Sequence, residues 1–207
     1  MQQNFLYDDI MIQQDLLFAC GGNCRKYEKN QPIFFEGNKA MFYCQVMEGS
    51  VRMVNTNEDG KEFIQGIFKN GDSFGEPVLF IDEPYPATAI ANEPSVIVRI
   101  TKDQFFYLLK EYPDVHLKVT QTLARRIFNK SIVSKEIAVE NPEHRIITVL
   151  QLLKHRSGCN NEKRFRIELS RQQIADMTGL RTETVIRTMR KLKDKGAIEI
   201  ERGKVFV

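Results

Sequence analysis

Residues 170–187, SRQQIADMTGLRTETVIR, limit the fold of this chain more than any other stretch. Ser170, followed three residues later by Gln173, forms the capping-box pattern that begins a helix. Gly179 permits a tight turn after this helix, and Ala175 is small enough for a second helix to approach closely. The stretch therefore predicts a helix-turn-helix.

The second helix of this motif is predicted to begin with Thr182 as its N-cap. Its inward positions would be Val185, Met189 and Leu192, which follow the helical period. Beyond it, residues 196–207 read GAIEIERGKVFV, which indicates two short strands around a basic turn. We expect this hairpin to form a wing beside the two helices.

Glu183 and Arg187 lie one helical turn apart on the second helix. An arginine can donate two hydrogen bonds to guanine, and a carboxylate can accept one from cytosine. The pair is therefore predicted to contact bases in the major groove of DNA. The alternative is an ordinary exposed ion pair, which would stabilise the helix by a few tenths of a kcal/mol.

The charge distribution agrees with an anionic partner at this end of the chain. Residues 140–207 carry 15 Lys and Arg against 9 Asp and Glu, a net charge of +6. Residues 1–139 carry 15 against 18, a net charge of −3. A basic C-terminal third on an acidic body favours DNA binding there, although six charges can also arise by chance.

Residues 27–100 alternate short apolar segments with turn signals, which is typical of an all-β sandwich or barrel. Asp59 and Gly60 are predicted to form a hairpin turn. Val51, Met53 and Phe63 fall on alternating positions around that turn. The 207-residue chain is 42% hydrophobic and 28% charged, enough for real cores, and lacks an apolar run that could span a membrane.

The hydrophobic period changes after residue 100. Thr101 is predicted to cap a short helix, and Pro113 to open a second one. Residues 114–141 contain no Gly or Pro, which predicts a helix of about 38 Å at 1.5 Å per residue. Its apolar stripe, formed by Val119, Leu123, Ile127 and Ile137, favours pairing with a second copy of the chain. The alternative is a helix packed along its own β domain. Asn141 with Pro142 predicts the cap of the next helix and a hinge.

The order of these parts resembles the Crp/Fnr family of bacterial transcription regulators. The resemblance extends over nearly the whole chain from about Gly37. It rests on three motifs: GKEFIQGIFKNGDSFGE (60–76), LARR (123–126) and SRQQIADMTGLRTETVIR (170–187). It implies an α+β fold with a cyclic-nucleotide-binding-type β-roll of the jelly-roll kind, a long dimerisation helix and a C-terminal winged helix-turn-helix. The implied boundaries are 1–112, 113–140 and 141–207.

The resemblance also implies the residues that contact DNA. Glu183 and Arg187 match the family's base-reading positions. Other positions match residues that contact phosphates or approach DNA: Ser170, Arg171, Thr184, Arg190, Arg202 and Lys204. Thr182 replaces a second base-reading arginine of the cyclic AMP receptor, so the operators should differ. Arg181 either compensates or only contacts phosphate.

The family holds a cyclic nucleotide with a Gly-Glu pair and a following Arg-Ser pair. Gly75 and Glu76 are retained here, but Tyr85 and Pro86, followed by Ala87, stand at the Arg-Ser segment. Proline has no N–H to donate, and the phosphate loses its guanidinium. We therefore expect no control by cyclic AMP and no cofactor, and constitutive DNA binding, a different small ligand and control by abundance stay open. Glu76 is expected to be structural and to accept backbone N–H bonds in its turn.

Two further residues match the adenine-binding positions of the family's dimerisation helix. Where the cyclic AMP receptor has Thr-Ser, this chain has Lys130 and Ser131. The lysine could contact an anionic effector, or it could be an ordinary solvated side chain.

Sensing by cysteine is the alternative form of control. The oxygen-sensing branch of the family ligates an iron–sulfur cluster, but Cys20, Cys24, Cys44 and Cys159 do not have a spacing that assembles four thiolates. A redox disulfide between Cys20 and Cys24 stays open as an alternative. No motif supports haem or another metal.

The sequence therefore predicts a homodimeric, cytoplasmic, DNA-binding transcription regulator and not an enzyme. Double-stranded DNA and a second copy of the chain are the expected partners, and RNA polymerase is a further candidate. The alternative is a small-ligand-binding regulatory subunit of another protein, since such β-rolls also serve there.

Overall fold

The computed structural model describes residues 11–58, 60, 62–139, 141–157, 159, 162 and 164–207. Side chains are described at all of these except 133, 135–139 and 156. Residues 1–10 of the predicted effector domain, Asp59 of the predicted turn and the side chain of Ile137 lie outside the described residues. The chain divides into two compact units, residues 1–124 and 125–207.

The first unit consists of short strands with a helix at either end. Its helices are α1 (Gln14–Ala19) and α2 (Lys102–Glu111), and its strands are β1 (Asn23–Tyr27), β2 (Pro32–Phe34), β3 (Phe42–Glu48), β4 (Ser50–Thr56), β5 (Glu62–Lys69), β6 (Ser73–Phe74), β7 (Thr88–Ala91) and β8 (Ser95–Thr101). A short 3₁₀ helix, Pro77–Leu79, follows β6.

These strands form two antiparallel sheets, in the orders β1-β8-β3-β6 and β2-β7-β4-β5. The sheets pack face to face, because one core cluster takes Val46 and Ile97 from the first sheet and Val51 and Ala89 from the second. Period-2 alternation places these side chains on inner faces. The result is a β-roll.

The β4–β5 hairpin turns where the sequence predicts. Gly60 has φ +76°, and its N–H donates to the carbonyl of Asn57 at 2.9 Å. The apolar alternation does not continue across the hairpin, because the register shifts between Met53 and Val54 and the side chain of Phe63 is exposed. A bulge of this kind moves later side chains to the other face.

A second core cluster of this unit lies beneath the helices. It includes Leu17 of α1, Tyr43 of β3 and Phe105 of α2, all fully buried. Thr101 caps α2 through a complete capping box with Gln104, so the predicted helix start is confirmed.

Helix α3 (Pro113–Val139) spans 27 residues, about 40 Å at 1.5 Å per residue. The predicted stripe does not act as one surface. Val119 is fully buried and Leu123 packs against the β-roll core of its own chain. Further along the helix the apolar side chains are exposed to solvent: Ile127 is 67% exposed and the neighbouring Phe128 is 65% exposed.

The second unit contains the remaining elements around one core. They are α4 (Pro142–Arg156), β9 (Arg166–Ile167), α5 (Arg171–Thr178), α6 (Thr182–Asp194), β10 (Glu199–Glu201) and β11 (Lys204–Phe206). Ile146, Ile174 and Val185 bring three helices into that core. The side chain of Asn141 caps α4 by accepting from the N–H groups of Glu143 and His144, which confirms the predicted start.

Candidate nucleic-acid interface and effector pocket

The first helix of the predicted motif is α5, and both of its ends follow from local sequence. The hydroxyl of Ser170 accepts from the N–H of Gln173 at 3.1 Å, and the Gln173 side chain accepts from the N–H of Ser170 at 2.9 Å. At the other end Gly179 adopts φ +67°, a left-handed conformation that costs glycine little. The N–H of Leu180 then donates to the carbonyl of Ala175. The capping box and the turn are confirmed.

The start of α6 differs from the prediction. Thr182 is the first residue of the helix and not its cap; Arg181 occupies the N-cap position without a side-chain hydrogen bond. The Thr182 hydroxyl is engaged elsewhere, since it donates to Oε1 of Gln172 on α5 at 2.6 Å. That bond joins the two helices.

The inward face of α6 agrees with the sequence. Val185, Met189 and Leu192 are buried in the core of the second unit. The opposite face is polar and solvent-exposed: Arg181, Glu183, Arg187 and Arg190 are exposed, and Thr184 is half-buried.

The two predicted base-reading residues, Glu183 and Arg187, are both exposed. In the part of the chain that the structure describes, no ion pair joins Glu183 to Arg187. The ion-pair alternative therefore has no support in this geometry. Both charged groups face solvent on a helix held by its opposite, apolar face.

Strands β10 and β11 form the wing. Arg202 and Gly203 both have positive φ, +47° and +79°, which is the conformation of a tight hairpin turn. Arg202 and Lys204 are exposed at its tip. The register pairs Glu201 with Lys204, and β11 also pairs with β9.

Two arginines fix the wing to the rest of the unit. Nη2 of Arg171, at the start of α5, donates to the carbonyl of Gly203 at 3.2 Å, and burial lowers the pKa of this arginine. Arg164 forms ion pairs with Glu199 and Glu201 on β10, at 2.8 and 2.5 Å, and lies over the ring of Phe206. Arg171 is predicted to contact phosphate, and the contact that the structure shows is its hydrogen bond to the wing turn. Arg164 lies in no recognisable sequence motif. Its contacts with the wing become apparent only from the pairing of β9 with the hairpin.

The candidate effector pocket lies in the first unit, around Gly75. A Cβ atom at Gly75 would meet the rings of Phe34 and Tyr85, each at 3.0 Å. These rings stack with centroids 3.7 Å apart and planes inclined by 9°. Tyr85 is 4% exposed, and its hydroxyl donates to the carbonyl of Phe42 at 3.3 Å. Aromatic rings therefore fill the space directly above the glycine.

Comparison with known proteins agrees with both halves of this description. Residues 24–112 match the cyclic nucleotide-binding domain, and residues 144–207 match the Crp-like helix-turn-helix domain. The cAMP-activated global transcriptional regulator CRP of Pasteurella multocida (strain Pm70) is 32% identical over 184 residues, which is 88% of each chain.

The chain belongs to the Crp/Fnr family of transcription regulators.

Two solved structures have a similar fold. FixK2 from Bradyrhizobium japonicum has a TM-score of 0.74 and 22% identity, over 90% of this chain and 91% of that one. The c-di-GMP-responsive global regulator CLP from Xanthomonas campestris has a TM-score of 0.73 and 21% identity, over 91% and 95%. The predicted α+β fold, with a β-roll and a C-terminal helix-turn-helix, is confirmed. The matched domains are those of transcription regulators and not of enzymes.

The other predicted pocket residues of this Crp/Fnr regulator differ in burial. Glu76 is fully buried and accepts a hydrogen bond from the hydroxyl of Ser73 at 2.9 Å. This side-chain donor is not predicted from the sequence. Pro86 is exposed, and its carbonyl accepts from Asn55 at 2.7 Å. Ala87 is fully buried between the sheets.

Arg99 is a buried charge beside these residues. It is 9% exposed, pairs with Cys44 in the β3–β8 register, and holds its guanidinium 4.5 Å from the ring centroid of Phe42. A lone arginine in the otherwise apolar strand SVIVRI is the only sequence signal for it.

Lys130 and Ser131, which match the family's adenine-binding positions, lie on the part of α3 that belongs to the second unit. Both are exposed. The Ser131 hydroxyl donates to the carbonyl of Ile127 one turn earlier, at 3.1 Å. Its hydroxyl hydrogen is therefore used within the helix.

The four cysteines are free thiols with different surroundings. Cys24 is exposed, Cys20 and Cys159 are half-buried, and Cys44 is buried. Burial raises the pKa of Cys44 to about 12, which keeps it a protonated thiol. Among the described residues, no group of three or more His, Cys, Asp and Glu side chains could hold a metal ion. None of the described helices of this Crp/Fnr regulator is long and apolar enough to cross a membrane.

Proposed function

We propose that this regulator is a homodimer that binds a pseudo-palindromic DNA operator through Glu183 and Arg187. The observation that carries the proposal is the geometry of α6. Val185 and Met189 on its apolar face are buried in the core. The Glu183 and Arg187 side chains are exposed and lie one helical turn apart. A carboxylate and a guanidinium so placed suit adjacent base pairs, with the arginine on guanine.

Polar and basic side chains around this pair would hold the phosphates. Ser170 caps α5 and Arg171 is its first residue, while Arg202 and Lys204 are exposed at the tip of the wing. Phosphate contacts orient a protein on the duplex without carrying sequence information. Arg181, Thr184 and Arg190 of α6 belong to the same surface.

The exposed part of α3 supports the dimer. Ile127 and Phe128 are adjacent apolar side chains, each about two-thirds exposed on a 27-residue helix. A second copy of α3 would bury them, as in a coiled coil. Two symmetric recognition helices would then occupy half-sites about 10–11 bp apart.

Cyclic AMP is not the effector in this proposal. The Phe34–Tyr85 stack lies over Gly75, and Pro86 offers no N–H at the phosphate position. The regulator works in the cytoplasm, where the chromosome is, and RNA polymerase is a further proposed partner.

Selection from random DNA tests this function. The unmutated protein should enrich a two-fold symmetric site. Arg187→Ala should cost about 1–3 kcal/mol and relax preference at one G·C pair per half-site.

Arg202→Ala is the matched control for the loss of one arginine. It should weaken all sequences alike and lower the salt dependence of binding by about one ion per half-site. An Arg187→Ala protein that enriched the same site as the unmutated protein would contradict the assignment.

A further inference from the structure

A chain of polar side chains links the two helices of the motif. The Thr182 hydroxyl donates to Oε1 of Gln172 at 2.6 Å, and Nε2 of Gln172 donates to Oδ1 of Asp176 at 2.8 Å. Asp176 is 6% exposed and lies on the buried side of α5. The chain therefore runs from the interior of the unit to the first residue of α6.

The chemistry of these groups fixes the direction of each hydrogen bond. A carboxylate oxygen accepts, so the amide nitrogen of Gln172 faces Asp176 and its carbonyl oxygen faces Thr182. A carbonyl oxygen also only accepts, so the Thr182 hydroxyl must supply the hydrogen. The remaining capacity of the hydroxyl oxygen is two lone pairs, which can only accept.

Thr182 is half-buried at the N-terminus of α6, next to Glu183. N-terminal residues of a recognition helix meet base edges in the major groove. A free threonine hydroxyl can donate or accept, and so it distinguishes bases poorly. A hydroxyl whose hydrogen is already committed can pair only with a donor.

We propose that Thr182 is a further specificity-determining residue and that Gln172 positions it as an obligate acceptor. This inference rests on the proposed function of α6. Thr182 prefers an exocyclic amino group, that of adenine or cytosine, at the base that it contacts directly. It disfavours guanine O6 and thymine O4 at the same point, because an acceptor there would meet its lone pairs. Gln172 acts through Thr182 and does not itself read the base.

The test compares variants by selection from random DNA and by affinity for single-base variants of the selected site. Thr182→Val is nearly isosteric and removes the hydroxyl, while Thr182→Ser keeps it. Gln172→Leu removes the acceptor that holds the hydroxyl hydrogen. Thermal melting first establishes that each variant is folded.

Thr182→Val and Gln172→Leu should both relax preference at the same base pair, by about three- to tenfold, the size expected of one hydrogen bond. Thr182→Ser should retain the preference. In the double variant Gln172→Leu should add nothing at that base pair. The G·C preference that depends on Arg187 should persist throughout.

Two results would overturn the inference. One is a Gln172→Leu protein that loses affinity equally for all sequences, as expected of a phosphate contact. The other is relaxation at a different base pair from that affected by Thr182→Val. Failure of the proposed function is distinct from both, because the unmutated protein would then enrich no sequence or keep its preference after Arg187→Ala.

Discussion

Phe34 and Tyr85 stack almost parallel, with ring centroids 3.7 Å apart, directly over Gly75. Gly75 is one of the residues by which the first unit resembles a cyclic nucleotide-binding domain, which residues 24–112 match. The stack comes from β2 and from the loop before β7, and it is continuous with the core through Phe74. The fold of the binding domain is thus retained while aromatic rings cover its glycine.

The first prediction is that cyclic AMP and cyclic GMP will not bind with physiological affinity. A buried phosphate without the arginine of the family's Arg-Ser pair loses several kcal/mol. At about 1.4 kcal/mol per decade, a loss of 4 kcal/mol weakens a micromolar ligand nearly a thousandfold. Titration calorimetry with each nucleotide, beside DNA binding with and without it, measures this. A dissociation constant of about 10 μM, coupled to tighter DNA binding, would refute the prediction.

The second prediction concerns the dimer. Ile127→Glu with Phe128→Glu should produce monomers and abolish operator binding, because charges would replace the apolar surface of α3. Leu123 is unsuitable for this test, since it packs on the core of its own unit.

Light scattering measures the mass of each protein, and melting measures its stability. Tyr107→Glu is the control, because Tyr107 is 62% exposed on α2 and should leave the mass unchanged. A monomeric unmutated protein with full DNA affinity would show that the dimer is wrong.

The third prediction is differential reactivity of the cysteines. Cys24 is exposed and should react with a thiol reagent in the native protein. Cys44 is buried with its pKa raised to about 12, so it should react only after unfolding. Mass spectrometry of labelled peptides, with and without denaturant, distinguishes the two.

The same thiol makes stability depend on alkaline pH. The folded state raises the pKa of Cys44 from 9.0 to about 12. The contribution of this thiol to the free energy of unfolding is therefore fully present below pH 9 and is lost as the pH rises from 9 to about 12. Cys44→Ala should flatten the decline of the free energy of unfolding there. An equally steep decline in the variant would show that other groups cause it.

The fourth prediction concerns the ion pair between Lys195 and Glu143, at 2.6 Å. It joins the C-terminal end of α6 to the start of α4. The hydrogen bond from Lys195 holds the pKa of Glu143 below its usual value of 4.5. The stabilisation is therefore present above pH 4.5 and is lost as the pH falls through the lower, folded pKa.

Melting temperatures measured from pH 6 downward test this contribution. Glu143→Gln should show a shallower acid-induced fall than the unmutated protein. Glu168→Gln is a matched control on the exposed surface, where its pair with Arg166 lies outside the α4–α6 contact. The prediction fails if the two variants have the same acid profile.

Local sequence determined much of this protein. The caps at Thr101, Asn141 and Ser170 and the positive-φ turn at Gly179 depend on residues within four positions of one another, so short motifs predict them. The exposure of Glu183 and Arg187 follows from the helical period of α6.

Only the tertiary structure decided the rest, because those contacts join residues far apart in the chain. The Phe34–Tyr85 stack bridges 51 positions, and no local pattern announces it. Likewise, the sequence predicts Thr182 as an N-cap. In the structure its hydroxyl lies 2.6 Å from Oε1 of Gln172 on α5 and donates to it. Burial of Val119 depends on where α3 meets the β-roll, which an apolar stripe alone cannot specify. Hydrophobic periodicity predicts that one face of a helix is apolar. Which residues bury that face depends on tertiary packing.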